Sequence, residues 1–222
     1  MSADLRLLRL LHLASPALPI GAFHFSQGLE YAIEAGWVHD ETSTLDWIGG
    51  LAVGSLGLLD LPVLARLLQA YQHKSPADVS RWNAMLIAAR ETAELRAEDR
   101  HMGPALVKIL REIDPQALDH VPDKPGYAAV FAAACYCWGV SAEDALQAYA
   151  WAWTENQVLA AVKLVPLGQS AGQRILHALI PQLAAAGERA LSLRDEDIGY
   201  CSVMQSVASA RHETQYTRLF RS

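Results

Sequence analysis

The apolar residues of this chain recur every three or four positions over most of its length, the spacing of helices with one buried side. No stretch of useful length alternates apolar and polar residues as a half-buried strand does. Short segments rich in Pro, Gly, Ser and Asp divide the pattern into separate helices. The sequence therefore predicts an all-α fold, a single globular helical domain of about ten helices with no sheet.

The first helix is expected over residues 3–14. Its buried side is expected to carry a group of leucines: Leu7, Leu8, Leu10 and Leu11. A secretory signal peptide also begins with a basic residue and an apolar run, but Arg9 and His12 interrupt the run here. An amphipathic helix is the better interpretation.

A stiff, irregular passage separates the first helix from the second. Ser15 and Pro16 stop the first helix, and further proline and glycine residues hold the chain extended. Ser26 is expected to cap a second helix that ends at Gly36, a residue type common just beyond a helix C-terminus.

The third helix carries two glycines that leave room for a close neighbour. Ser43 and Asp46 predict a capping box at its start. Gly50 and Gly54 lie four residues apart, which suits close helix packing inside a core or, in a membrane, a helix dimer. The apolar run over residues 47–59 is too short to cross a bilayer, which favours core packing.

The middle of the chain predicts one long helix and one long loop. Ser75 caps a helix that is expected to run to about His101, with Arg90 and Glu94 paired on its exposed side. Residues 114–126 contain three prolines and three aspartates without periodicity, which indicates a loop.

The second half predicts a central helix followed by a long one. Residues 127–138 are apolar all round, so this helix should be central, and Ser141 caps the next helix, through about Val165. Asn156 and Lys163 lie two turns apart on one face of it. Two more helices are expected, over residues 170–185 and 196–210.

Composition excludes several classes of partner. The chain of 222 residues is 52% hydrophobic and 19% charged, as expected for one well-buried domain. Its 24 acidic residues outnumber 18 basic ones, giving a net charge of −6, so neither nucleic acid nor an acidic membrane is an expected partner. Three cysteines without framework spacing favour a cytoplasmic location.

Few residues of the sequence are candidates for catalysis, metal binding or partner binding. No phosphate-binding loop of the GxxxxGK[ST] type occurs. Cys135 and Cys137 lie two residues apart on a helix, point to different sides and are better explained as buried thiols than as a metal pair. His24 is the one histidine worth testing. Lys163 follows Val162 in an apolar turn and is either a snorkelling lysine or a cation that faces a partner. We predict no catalytic residue, no metal site and no cofactor.

A small all-α enzyme is the rival interpretation. In it, Cys135 or Cys137 is the nucleophile and Glu155 the acid or base. Nothing in the sequence places these groups together. A carrier of a metal ion is a further alternative, but the sequence shows no cluster of ligands for one.

The C-terminal residues 211–222, RHETQYTRLFRS, differ from the rest of the chain. They carry aromatic residues and three arginines and lie beyond the last core helix, so we expect a flexible tail after a helical domain of residues 1–210. Tyr, Phe and Arg are also residue types that anchor protein interfaces.

Four segments together resemble the UreF family of urease accessory proteins. They are residues 13–30, LASPALPIGAFHFSQGLE; 91–103, ETAELRAEDRHMG; 155–176, ENQVLAAVKLVPLGQSAGQRIL; and the tail 211–222. They span nearly the whole chain in the expected order.

The resemblance implies an all-helical cytosolic protein without catalytic activity of its own. Members of that family form homodimers, join the accessory protein UreD (UreH in some organisms) and recruit the GTPase UreG, so that nickel reaches apo-urease. The family's tail is associated with UreD/UreH binding. Regulation of UreG is implied too, with Arg218 as an interface anchor or as an arginine supplied to the GTPase.

The expected partner-binding residues come from the corner after the first helix, from the long helix and from the tail. They are Phe23, His24, Lys163, His212, Glu213, Tyr216, Arg218, Leu219 and Phe220. Many relatives have tyrosine where this chain has Phe23, so the resemblance implies no hydrogen bond from that ring.

Overall fold

The computed structural model describes residues 3–221, and these residues form helices and connecting segments without a strand. This confirms the all-α prediction. The helices are α1 Ala3–Leu13, α2 Leu29–Glu34, α3 Glu41–Leu51, α4 Leu61–Gln72, α5 Pro76–Ala88, α6 Ala93–Ile113, α7 Tyr127–Cys137, α8 Ala142–Leu164, α9 Gln169–Ser192 and α10 Val203–His212. Short 3-10 turns lie at Ala22–His24, Pro115–Leu118 and Asp195–Asp197.

A π-helical segment, Ala52–Asp60, joins α3 to α4 in one continuous helix. Pro62 lies in the first turn of α4, directly after the π segment, at a position where the missing N–H of proline is tolerated. The helix Glu41–Gln72 is long and apolar enough to cross a membrane, yet 78% of its most apolar window is buried inside the fold. Its burial is that of a core helix.

The main core surrounds α7. Phe131 on this helix is fully buried, as are Leu64 on α4 and Leu146 on α8, which pack in the same apolar cluster. This confirms that the helix predicted to be apolar all round is central. A second cluster joins α2, α3, α8 and α9, and Phe220 near the C-terminus belongs to it.

Four predicted helix starts or ends were wrong. The capping box of α3 pairs Asp40 with Ser43, whose N–H donates to Asp40 Oδ1 at 2.8 Å, and Asp46 takes no part. Helix α2 begins at Leu29 after Gly28, while Ser26 Oγ accepts the Glu30 N–H at 3.3 Å. Helix α9 ends at Ser192, beyond the predicted 185, and α10 begins at Val203 instead of at about 196, where the chain forms a 3-10 turn.

The predicted long helix over residues 75–101 is two helices. Ser75 caps α5 as expected, but α5 ends at Ala88, and Thr92 caps α6 by accepting the Leu95 N–H at 3.2 Å. The break lets Arg90 leave the helical path and reach Asp60 and Asp99, so the expected pair with Glu94 does not form.

The leucines of α1 were assigned to the wrong side. Leu10 is buried as predicted, but Leu7, Leu8 and Leu11 are 56%, 63% and 59% exposed. Leu13 joins Leu10 in the core instead. Periodicity marked an apolar helix correctly, but four leucines within five residues do not identify which side faces the core.

The two glycines of the long helix behave differently. A Cβ at Gly54 would lie 2.6 Å from Cε1 of Tyr200, so this glycine permits a close approach as predicted. Gly50 has open space around it, and the prediction for that position was wrong. Cys137 is likewise exposed rather than buried, whereas Cys135 is buried.

Candidate functional site

The corner between α1 and α2, residues 15–28, is fixed to the body by backbone contacts. Gly21 has φ +81°, and a Cβ there would lie 2.8 Å from Nε2 of His101. Asn156 on α8 donates its Nδ2–H to the carbonyl of Ala22 at 2.8 Å. These contacts hold the 3-10 turn that presents Phe23, whose ring is 49% exposed and lies 3.9 Å from the ring of His24.

Gln27 ties the same corner to three helices. Its Nε2 donates to both carboxylate oxygens of Glu98 on α6, at 3.0 and 2.9 Å. Its Oε1 accepts from Nε1 of Trp153 on α8 at 3.0 Å and from Nε2 of Gln205 on α10 at 3.4 Å. Gln27 has φ +54°, a left-handed conformation that a side chain other than glycine adopts at some strain. Four hydrogen bonds hold it there.

Lys163, near the end of α8, lies between the corner and the C-terminus. Its Nζ is 5.9 Å from the ring centroid of Phe23 and 5.9 Å from that of Phe220. A cation at this distance is attracted to the face of an aromatic ring. The side chain is exposed. The structure therefore brings together three of the predicted residues from three distant parts of the chain.

The residues beyond α10, 213–221, which we call the C-terminal segment, lie against the body. Phe220 is only 6% exposed, and the N–H of Arg221 donates to the carbonyl of His24 at 2.7 Å. The N–H of Ala93 donates to a carboxylate oxygen of Glu213 at 2.9 Å. Tyr216 and Leu219 face solvent, with Leu219 67% exposed.

Four charged side chains hold the C-terminal segment, and we call them the clasp: Glu30, Glu94, His212 and Arg218. The two carboxylate oxygens of Glu30 accept the N–H groups of Leu219 and Phe220 at 2.7 and 2.9 Å. Arg218 donates to Glu94 at 3.1 Å.

His212 lies at the centre of the clasp, and its side chain is fully buried. Its Nδ1 is 2.8 Å from Glu94 and its Nε2 is 3.0 Å from Glu30. Burial alone would lower the pKa of His212, but hydrogen bonds and the charges of Glu94 and Glu30 outweigh it and raise the pKa above the ordinary 6.5. His212 is therefore internal to the fold, and a partner could not contact it without displacing the segment.

A second charged cluster lies deeper, under the corner. Arg90 donates to Asp99 at 2.7 Å through Nε and to Asp60 at 3.1 Å through NH1. Burial raises the pKa of Glu98, next to Asp99, to about 8, although the hydrogen bond from Gln27 opposes the shift. The cluster lines a cavity of about 70 Å³ covered by corner residues. We call Asp60, Arg90, Glu98 and Asp99 the core cluster.

The groups proposed for an enzyme are not arranged for nucleophilic catalysis. Burial raises the pKa of Cys135 far above its ordinary value, so its thiol stays protonated and unreactive. The pKa of the exposed Cys137 is also raised, first by desolvation and then by Asp114. Among residues 3–221 no group of three or more His, Cys, Asp or Glu side chains is arranged to hold a metal ion.

Sequence reasoning missed the two carboxylates of the clasp. Glu30 was read only as part of the second helix, and Glu94 only as a pair for Arg90. Both lie within segments that carried the family resemblance, next to the corner and the α5–α6 break. An acidic residue between apolar neighbours, as in Leu29 and Tyr31 around Glu30, is the signal that could have marked a buried carboxylate.

Comparison with known proteins gives one consistent result. A family model described as UreF matches residues 38–180. The protein named "Urease accessory protein UreF" of Alkalilimnicola ehrlichii is 48% identical over 216 residues, which cover 96% of this chain and 95% of that protein. A protein of the same name from Chromohalobacter salexigens is 48% identical over 219 residues, 98% of this chain and 95% of that protein. One from Methylobacillus flagellatus is 43% identical, with 100% of both chains covered.

Proposed function

The chain belongs to the UreF family of urease accessory proteins, and from that premise we propose that it is a non-catalytic cytoplasmic adaptor in nickel insertion into apo-urease. In this proposal it binds UreD (UreH in some organisms) and recruits the GTPase UreG. It acts as a homodimer and modulates UreG without a cofactor or metal site of its own. Nucleic acid and membranes are not partners.

The observation that carries the proposal is the meeting of the corner and the C-terminal segment. Phe23, Lys163 and Leu219 are exposed, and Lys163 lies beside the rings of Phe23 and Phe220. Exposed aromatic, aliphatic and cationic groups on a fixed backbone are typical of interface anchors. We call Phe23, Lys163, Tyr216 and Leu219 the composite surface. The remaining predicted residues, such as His212 and Phe220, support this surface from below.

The test removes exposed side chains without disturbing the fold. In the variant Tyr216→Ala/Leu219→Ser, both changes are at solvent-facing positions. We expect at least about a thirtyfold weaker capture of UreD and UreG by the purified full chain, the effect of losing a hot spot of about 2 kcal/mol. The matched control is Ile113→Ser, 53% exposed at the far end of α6, about 28 Å along the helix from Glu94.

Undiminished capture by the double variant, or equal loss in Ile113→Ser, contradicts this placement of the surface. Deleting all residues after 210 is a blunter test, because it also removes His212 and leaves Glu30 and Glu94 without partners. A pull-down with that truncated chain therefore confounds partner contact with local unfolding.

The role of Arg218 in UreG regulation can be tested separately. Its hydrogen bond to Glu94 supports the role of an anchor of the C-terminal segment rather than of an arginine reaching into the GTPase. With Arg218→Ala we expect UreG turnover and UreG binding to fall together. Loss of turnover with binding intact would instead favour an arginine supplied to the phosphoryl group.

The proposed homodimer has two candidate faces. One is the exposed leucine face of α1, and the other is the exposed apolar face of α10, which carries Val203, Met204 and Val207. Large exposed apolar patches mark interaction sites. Light scattering of Leu8→Glu and Met204→Glu variants should show a monomer for the change that falls in the dimer interface.

A further inference from the structure

The C-terminal segment is held by side chains that carry opposite charges in equal number. Glu30 and Glu94 contribute two carboxylates, and His212 and Arg218 supply the two cationic groups. Glu30 contacts the backbone of the segment directly, because its two oxygens accept the adjacent N–H groups of Leu219 and Phe220. Two backbone N–H groups on one carboxylate fix the path of the chain at that point.

His212 decides whether the two carboxylates can lie together. An ionised carboxylate only accepts hydrogen bonds, and a neutral imidazole has one N–H to donate. Both ring nitrogens of His212 face a carboxylate oxygen, at 2.8 and 3.0 Å. Both bonds therefore form with ionised partners only when the ring is an imidazolium. Two carboxylates at one buried histidine would otherwise repel each other.

We propose that His212 is a positioning residue of the composite surface, whose imidazolium holds Glu30 and Glu94 so that Glu30 places the backbone of Leu219 and Phe220. The partner side of this inference rests on the proposed function, whereas the holding of the segment is a property of the chain alone. No contact between His212 and a partner is required.

The proposal predicts that the C-terminal segment is held in a pH-dependent way. Helix α10 packs against α2 and α6, and the groups that face His212 from these elements are Glu30 and Glu94, with Arg218 of the segment behind Glu94. Because the pKa of His212 is raised, the hold is fully present below the ordinary pKa of 6.5 and is lost as the pH rises through the raised value.

The test is amide hydrogen exchange of the full chain, with protection at Leu219 and Phe220 expressed relative to the intrinsic rate at each pH. For the unmodified protein we expect protection to fall about tenfold or more between roughly pH 6 and pH 9, the loss of a charge-assisted hydrogen bond. His212→Gln keeps a donor group, its side-chain NH2, at one position only and carries no charge. It should show low protection throughout and no step with pH. The matched control, His177→Gln on the exposed side of α9, should keep the profile of the unmodified protein.

Protection of Leu219 and Phe220 that is flat with pH in the unmodified protein overturns the proposal, and this measurement needs no substitution. Protection in His212→Gln equal to that of the unmodified protein also overturns it. Capture of UreD and UreG separates the two proposals. A freed segment with full capture leaves the clasp standing and removes the segment from the proposed function. If His212→Gln captures UreD and UreG more weakly while the protection of Leu219 and Phe220 is unchanged, the proposed role of His212 in the clasp is contradicted.

Discussion

The protein contains two buried charged clusters, and in each of them two carboxylates share one basic side chain. The two clusters hold different parts of the chain. In the core cluster, Asp60 and Asp99 share one arginine, Arg90. In the clasp, Glu30 and Glu94 share one histidine, His212. Arginine stays charged at any pH that a folded protein meets, whereas histidine changes charge near neutrality.

The two clusters also differ in what they join. The core cluster links α4 to the α5–α6 break and to α6, all of them parts of the main body. The clasp links α2 and α6 to the C-terminal segment. A permanent cation therefore holds parts of the body together at any pH, whereas in our proposal the hold on the C-terminal segment depends on pH.

The largest effect is expected from removing the cation of the core cluster. Arg90→Met leaves Asp60 and Asp99 buried without a partner, so we expect the free energy of unfolding to fall by about 3–5 kcal/mol. Urea denaturation at neutral pH measures it. The control is Arg174→Met, because Arg174 also binds a carboxylate, that of Glu41, but at an exposed site. A loss no larger than that of the control would show that the core cluster does not stabilise the fold.

A smaller change in the free energy of unfolding, of opposite sign, is expected when Glu98 of the core cluster is replaced by a neutral side chain. The pKa of Glu98 is raised from 4.5 to about 8, so the folded state binds more protons than the unfolded state between these values. Stability therefore falls as the pH rises through this window. Glu98→Gln should make the protein more stable at pH 8 and flatten the profile, because the buried acid no longer ionises.

Denaturation curves at several pH values check this prediction. The same variant should keep the pH dependence of amide protection at Leu219 and Phe220, because His212 is unchanged. If Glu98→Gln removed that dependence too, the two clusters would be one coupled system, and the distinction between them would fail.

The smallest effect is expected at the exposed edge of the clasp. The Arg218 side chain is 42% exposed and meets Glu94 at 3.1 Å. Partly exposed ion pairs contribute little, so Arg218→Ala should lower the global free energy of unfolding by at most about 1 kcal/mol. A loss as large as that of Arg90→Met would mean that the arginine, and not His212, is the main cation of the clasp.

Helix positions could be predicted largely from local signals. Ser75 and Ser141 cap helices as expected, and the apolar run around Phe131 is central. The failures have physical causes outside the local pattern. The break after Ala88 places Arg90 against Asp60, a residue thirty positions away. No local pattern records such a partner.

In the candidate site, too, local sequence predicted some features, whereas others depend on residues far apart in the chain. Motifs of the corner and the tail drew attention to Phe23 and Phe220, and the structure places both near Lys163. The sequence could not show that Glu30 would bind residues 189 and 190 positions later. Nor could it show that His212 is buried, because a histidine at the start of a polar tail has the pattern of a surface residue.

The central claim is that the corner and the C-terminal segment act as one surface toward a partner. A double-mutant cycle of Phe23→Ala and Leu219→Ala in the full chain, read out as UreD and UreG affinity, tests it directly. We predict a coupling energy above about 0.5 kcal/mol, because both side chains would meet the same partner groups. Two losses that add without coupling, or no loss from either change, would contradict the claim.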